Sequence, residues 1–134
     1  MEIKVLARRF YDEINAGNID IIDELMAADA VEHEEFPGMA SGRESVKQFF
    51  RSVRAAFPDF SMTIEDMVAE GDKVFIRAIM HGTQQEEFFG IPSSGKTMAV
   101  PFADVVRFDN GRVVEHWGVT DTGVMMRQLT GSED

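Results

Sequence analysis

The segment Val113-Val114-Glu115-His116-Trp117-Gly118-Val119-Thr120-Asp121 is the most informative stretch of the chain for chemistry. Read as a strand of period two, it places Glu115, Trp117, Val119 and Asp121 on one face. A carboxylate beside tryptophan on an apolar wall has its pKa raised, because burial disfavours the charged form. Tuned in this way, a carboxyl group serves as general acid or base near neutral pH. Asp121 also directly precedes a helical pattern, and aspartate is a favoured N-cap. Both readings stay open, and one residue can fill both roles. His33, Arg77 and His81 are the other polar candidates. Arg77 and His81 share strand parity, and either can polarise a carbonyl or hold an enolate. The alternative is that each faces solvent or pairs with one of the many acids.

Other chemistries find less support. Gly90-Ile91-Pro92-Ser93-Ser94-Gly95-Lys96-Thr97 matches the phosphate-loop string G-x-x-x-x-G-K-[ST]. That chemistry needs a buried strand before it and a helix N-terminus after it. Here Gln84 to Glu87 precede and a strand-like run follows, so a loop capping the mouth of a pocket is expected instead. His33, His81 and His116 are far apart and lack metal-ligand spacing. His33, Glu34 and Glu35 are adjacent, but successive residues of an extended segment point opposite ways, so no metal is expected. With no cysteine, thiol chemistry and disulfides are excluded. No G-x-S-x-G elbow occurs to support a serine hydrolase.

The charge balance narrows the partners. Thirteen basic against 24 acidic residues give a net charge of −11. Nucleic acids and anionic membranes both recruit Lys and Arg, so neither is expected as a partner. No apolar run is long enough to span a bilayer. The leading MEIKVLARRFYDE is charged throughout and lacks an apolar signal region, so a cytoplasmic location is expected. A chain of 134 residues is expected to form one domain, residues 1–134.

These side chains need elements to hold them. Ile3, Leu6, Ala7, Phe10 and Ile14 recur at helical spacing, with Gly17 at the C-cap. A short second helix carries Ile21, Ile22, Leu25 and Met26, with Asn18 as its expected N-cap. After an extended piece near Val31 to His33, Phe36-Pro37-Gly38 reads as a loop. Ser41 and Glu44 form a capping box ahead of a third helix that Pro58 ends. Strand patterns follow: Phe60 to Glu65, Val74 to Thr83 and Met98 to Phe108, with Asn110-Gly111 as a hairpin turn into Val113 to Thr120. A short helix over Val124 to Leu129 closes the chain.

Helices segregated from an antiparallel sheet define an α+β fold. Pro101 inside a strand implies a bulge or an edge, and Gly118 permits a bend, so the sheet is expected to curve into a cone. The Met98–Phe108 strand is apolar on both faces. Val100, Phe102 and Val106 can line the cone, which makes Phe102 a candidate substrate contact. Ala99, Ala103 and Val105 then need a second cover, most simply a partner subunit, so a homodimer or a larger assembly is expected. The ligand is expected to be an apolar small molecule.

The run His81-Gly82-Thr83 to Glu87-Phe88-Phe89-Gly90-Ile91-Pro92 with Ser94-Gly95-Lys96 resembles the G-T-x-x-x-x-F-x-G-x-P-x-[ST]-G-K signature of SnoaL-like polyketide cyclases. Arg107-Phe108 with Asn110-Gly111, Glu115-x-Trp117-x-x-x-Asp121, Phe10-Tyr11, the segment around His33 and the Phe57-Pro58-Asp59 turn fit as well. The resemblance spans nearly the whole chain. It implies the nuclear transport factor 2-like cone, dimers, and ring closure by intramolecular aldol condensation without metal or cofactor. The aspartate of W-x-x-x-D, here Asp121, is implied as general acid/base. His33, Arg77 and His81 are implied as orienting groups and Trp117 as an aromatic wall. A hydrolase, dehydratase or isomerase in the same pocket, or a non-catalytic binder, are the rival readings, because a shared fold leaves the reaction open.

Overall fold

The computed structural model describes residues 2–34 and 40–131, so the expected Phe36-Pro37-Gly38 loop and Glu35 lie outside the described residues. The order is α1 (Ile3–Asn15), α2 (Ile21–Leu25), β1 (Met26–Glu32), α3 (Arg43–Ala56), β2 (Ser61–Glu70), β3 (Lys73–Thr83), β4 (Thr97–Asp109), β5 (Arg112–Thr120) and α4 (Thr122–Thr130). The strands form one curved, unclosed sheet in the order β1-β5-β4-β3-β2. This is the expected α+β fold, with one difference. β1 runs parallel to β5 and pairs Glu32 with His116, so the sheet is mixed. The chain reaches β5 only after crossing α3 and the meander, and that long crossover is what permits a parallel pair.

Local signals set most element ends. α1 buries Ala7, Tyr11 and Ile14 on one side, one helical turn apart. Its end is tied to β2 by Asn15, whose side chain donates to Met62 O at 2.9 Å and accepts from Met62 N at 2.7 Å. That double bond fixes how α1, and with it Tyr11, lies over the sheet. α2 starts after Asp20 rather than Asn18, whose side chain instead bonds Glu13 at 2.8 Å, and Met26 already belongs to β1. The N-cap of α3 is Gly42 at φ +64°, not Ser41; Ser45 Oγ donates back to Gly42 O.

Pro101 introduces no bulge. β5 ends opposite Phe102, so the missing N–H of Pro101 costs the ladder nothing, as for an edge position. The irregularities fall between Met26 and Val31, between Ile64 and Asp66 and between Arg107 and Phe108. The phosphate-loop string is followed by β4, not by a helix, which removes the context nucleotide binding requires. The loop from 84 to 96 is built around the fully buried Gln84, which donates to the carbonyls of Glu86 and Ile91 and accepts from Ser94 Oγ. It packs on the end of α3 through Gln85 N to Ala56 O, and none of its residues lines the main pocket.

Candidate active site

Cross-strand register decides what faces inward. Val74, Val106 and His116 stand in one row across β3, β4 and β5; Ile76, Asp104 and Gly118 in the next; Ala78, Phe102 and Thr120 in the third. Directly paired residues share a face, and Val74, Ile76 and Ala78 are buried. This concave face and the helices enclose a pocket of about 90 Å³. Its walls are mostly apolar, including Phe10, Phe49, Phe50, Phe60, Met62 and Phe102.

Into this apolar space project Tyr11 from α1, Glu32 and Glu34 from the end of β1 and the residues after it, Asp104 from β4, and His116 from β5. The imidazole of His116 is clamped on both sides. Its Nδ1 lies 2.6 Å from Glu32 Oε1 and its Nε2 lies 2.7 Å from Asp104 Oδ1. Both partners are acceptors, so both ring nitrogens carry hydrogen. Burial works against charge on this ring, but the hydrogen bonds to Asp104 and Glu32 outweigh it and push its pKa up to about 10. His116 is therefore an imidazolium at neutral pH. The other oxygen of Asp104 accepts from the buried Tyr11 hydroxyl. Burial, and then the Asp104 charge beside it, hold that phenol well above its ordinary pKa, so it remains a donor.

Glu34 completes the cluster. Its Oε2 accepts from Thr120 Oγ1 at 2.9 Å, and its backbone N–H donates to Glu32 Oε1 at 2.8 Å. Burial raises its pKa above the ordinary carboxylate value, with the Thr120 hydrogen bond opposing. One oxygen each of Glu34 and Asp104 and one nitrogen of His116 lie within 4.8 Å of one another. Those three groups have the donor set of a divalent-cation site, but both ring nitrogens of His116 are spent on carboxylates. A metal would first have to displace the Asp104 hydrogen bond. Glu32 Oε2 is the buried side-chain atom left without a partner among the described residues.

The residues singled out from sequence fall elsewhere, Phe102 excepted; it lines the pocket as expected. Glu115, Trp117 and Val119 do share a face, but it is the convex one, in rows with Arg107, Val105 and Ala103. That corrects the expectation that they face the cone. His33 also lies on this outer side, stacked on Trp117 with ring centroids 5.1 Å apart and bonded to Glu115 at 2.7 Å. Arg77 shares strand parity with His81 as expected, yet is exposed and paired with Asp66. Neither Arg77 nor His81 is among the lining residues. Asp121 is exposed and caps α4, its Oδ1 accepting from Val124 N at 3.0 Å. The structure thus brings together Tyr11, Glu32, Glu34, Asp104 and His116, of which sequence reading weighed only Glu34 and His116, and those as metal ligands. The signal for His116 and Asp104 was the even parity of β5 and the carboxylate that interrupts the apolar run of β4.

The comparisons agree with this architecture. TsrD from Streptomyces laurentii superimposes with a TM-score of 0.87 at 27% identity, over 97% of this chain and 96% of its own. IdmH, "a putative polyketide cyclase" from Streptomyces antibioticus, gives 0.84 at 32% identity, over 97% and 99%. AclR, "a putative hydroxylase" from Streptomyces galilaeus, gives 0.84 at 26% identity, over 96% of each chain. No curated protein sequence matches. No described helix is long and apolar enough to cross a membrane. The profile of SnoaL-like polyketide cyclases matches residues 5–129, and the chain belongs to that family, with its nuclear transport factor 2-like fold.

Proposed function

We propose that this chain is a cofactor-independent acid–base enzyme that closes a ring on an apolar carbonyl compound, with Glu34 as the proton-transfer group. The observation that carries the reading is a carboxyl group of raised pKa, set in an apolar pocket against a doubly clamped imidazolium. Glu34 as carboxylate takes a proton α to a carbonyl, and the C–H electron pair passes into the enolate. The enolate carbon attacks a second carbonyl carbon, and the new alkoxide takes the proton back from Glu34. No atom is gained or lost. His116 is the formally positive side chain among the lining residues, which include no Lys or Arg, and its charge offsets part of the negative charge that Glu32, Asp104 and the enolate bring into the pocket. Asp104, Glu32 and Tyr11 hold that ring in place.

The same reading extends to assembly. The convex face presents Phe75 at 39% and Val119 at 74% exposure beside Val105 and Trp117, an apolar patch that a second copy would cover. A homodimer built on this face leaves the pocket open on the other.

The test is deuterium exchange followed by proton NMR. Apolar ketones and β-ketoesters are incubated in deuterated water with wild type and with Glu34→Gln. Loss of α-proton signal with wild type alone supports the assignment. Equal exchange with both proteins removes Glu34 from the reaction. Line broadening without exchange for any compound favours a non-catalytic binder.

A further inference from the structure

We infer that Gly118 is a positioning residue: the space left by its missing side chain is where the Glu34 carboxyl meets the His116–Asp104 pair. The inference rests on the reading of Glu34 given above. Gly118 sits inside β5, opposite Asp104, on the row that faces the pocket. It is not among the glycines at positive φ, so backbone conformation does not demand glycine here. Space does. A Cβ at this position would overlap Glu34 Oε1, and would stand 2.9 Å from both Asp104 Oδ1 and His116 Cε1. All three obstructed atoms belong to the site.

The three groups are not equally free to yield. Asp104 is held by Tyr11 and by His116, and His116 by Asp104 and Glu32. Among the described residues, the Glu34 side chain is anchored through Thr120 alone, at its other oxygen. Any side chain at 118 therefore displaces the Glu34 carboxyl first, off the pocket wall and away from the imidazolium. The geometry makes the gap in β5 the counterpart of a carboxyl supplied from the segment after β1: one residue withholds a side chain so that another, 84 positions earlier, can fill the space.

Two measurements test this without a known substrate. In protein labelled with carbon-13 at glutamate carboxyls, the Glu34 signal is identified by its loss in Glu34→Gln and titrated in wild type and in Gly118→Ala. Its midpoint should fall by about one pH unit in Gly118→Ala, as the carboxyl regains water. An unchanged midpoint in folded Gly118→Ala overturns the inference. A double-mutant cycle covers the case in which that variant folds poorly. Gly118→Ala should lower the folded-to-unfolded ratio by roughly tenfold more in the wild-type background than in Glu34→Ala. Equal loss in both backgrounds means that the glycine serves the strand alone, and also overturns it. Absence of exchange in wild type would remove the proposed reaction while leaving the Gly118–Glu34 coupling measurable.

Discussion

Asp104 and His116 are diagonal neighbours across the β4–β5 ladder. Asp104 stands opposite Gly118, two residues from His116, and its Oδ1 lies 2.7 Å from the ring Nε2. Diagonal pairs on one sheet face sit within reach of long side chains. With Glu32 on the other nitrogen, this contact stores pH-dependent stability in the fold. The histidine pKa is raised from its ordinary value of 6.5 to about 10 in the folded protein. The stabilisation is then fully present below about pH 6.5 and is lost as pH climbs towards 10. Urea unfolding of wild type should show stability declining across that interval. His116→Gln should be less stable at pH 6 and lack this part of the decline. Parallel curves for the two proteins would mean that the ring is neutral in the native state.

Glu34 shows the same sign of linkage, beginning in the more acidic glutamate range. Its folded pKa is raised by burial, so the native state holds a proton that the unfolded chain releases. Stability is thereby lost as pH rises from the ordinary glutamate range through the raised value. Glu34→Gln keeps the shape and can still accept from Thr120, but never ionises. We expect this variant to match wild type in acid and to be the more stable protein at neutral pH, while α-proton exchange disappears. A gain in stability coupled to loss of turnover is the mark of a group held for chemistry. A variant less stable than wild type at pH 7 would show that the carboxylate is a structural asset instead.

Asp121 separates two chemical assignments in one experiment. Its side chain caps α4, so Asp121→Ala should cost about 1 kcal/mol in chemical denaturation and Asp121→Asn much less. Both should retain exchange activity, because the carboxyl is exposed and absent from the pocket wall. If Asp121→Asn keeps its stability but loses exchange, the proton belongs to Asp121, as the family resemblance implies, and the pocket cluster is demoted to substrate binding.

The elements were legible where local chemistry sets them. The Asn110-Gly111 turn, the stop at Pro58 and the helical spacing of Ile3 to Ile14 each act through neighbours in sequence. Capping was less so: Ser41 and Asn18 are good caps by type, yet Gly42 and Asp20 hold the positions. The placement of the β5 side chains turned on parity. β4 is apolar on both faces, so alternation alone cannot say which side is the inside. Reading Trp117 as a pocket wall turns β5 over, which moves Glu115 and Asp121 inward and His116 outward. Two facts absent from any local pattern reverse it: Glu32 of β1 pairs in parallel with His116, and Tyr11 reaches Asp104 from a helix 93 residues away. Gly118 reads as a bend in sequence, but its reason is a close approach by Glu34, which no spacing rule foresees.

The convex face carries the last prediction. Phe75, Val105 and Trp117 form one row across β3, β4 and β5, and Arg77, Ala103 and Val119 form the next. Val119 at 74% exposure stands near the end of β5, beside the row of Phe75, Val105 and Trp117, so these apolar side chains make one contiguous patch. If a second copy covers this face, wild type should sediment at twice its 15.0 kDa. Val119→Arg would then place a charge in a dry interface and shift the protein to monomer. The single tryptophan reports the same event, since Trp117 lies in the adjacent row and its emission should move to longer wavelength as water reaches it. Exchange activity should survive in the monomer, because this patch and the pocket lie on opposite faces of the sheet. A wild type that sediments as a monomer at all concentrations would leave the patch to some other partner.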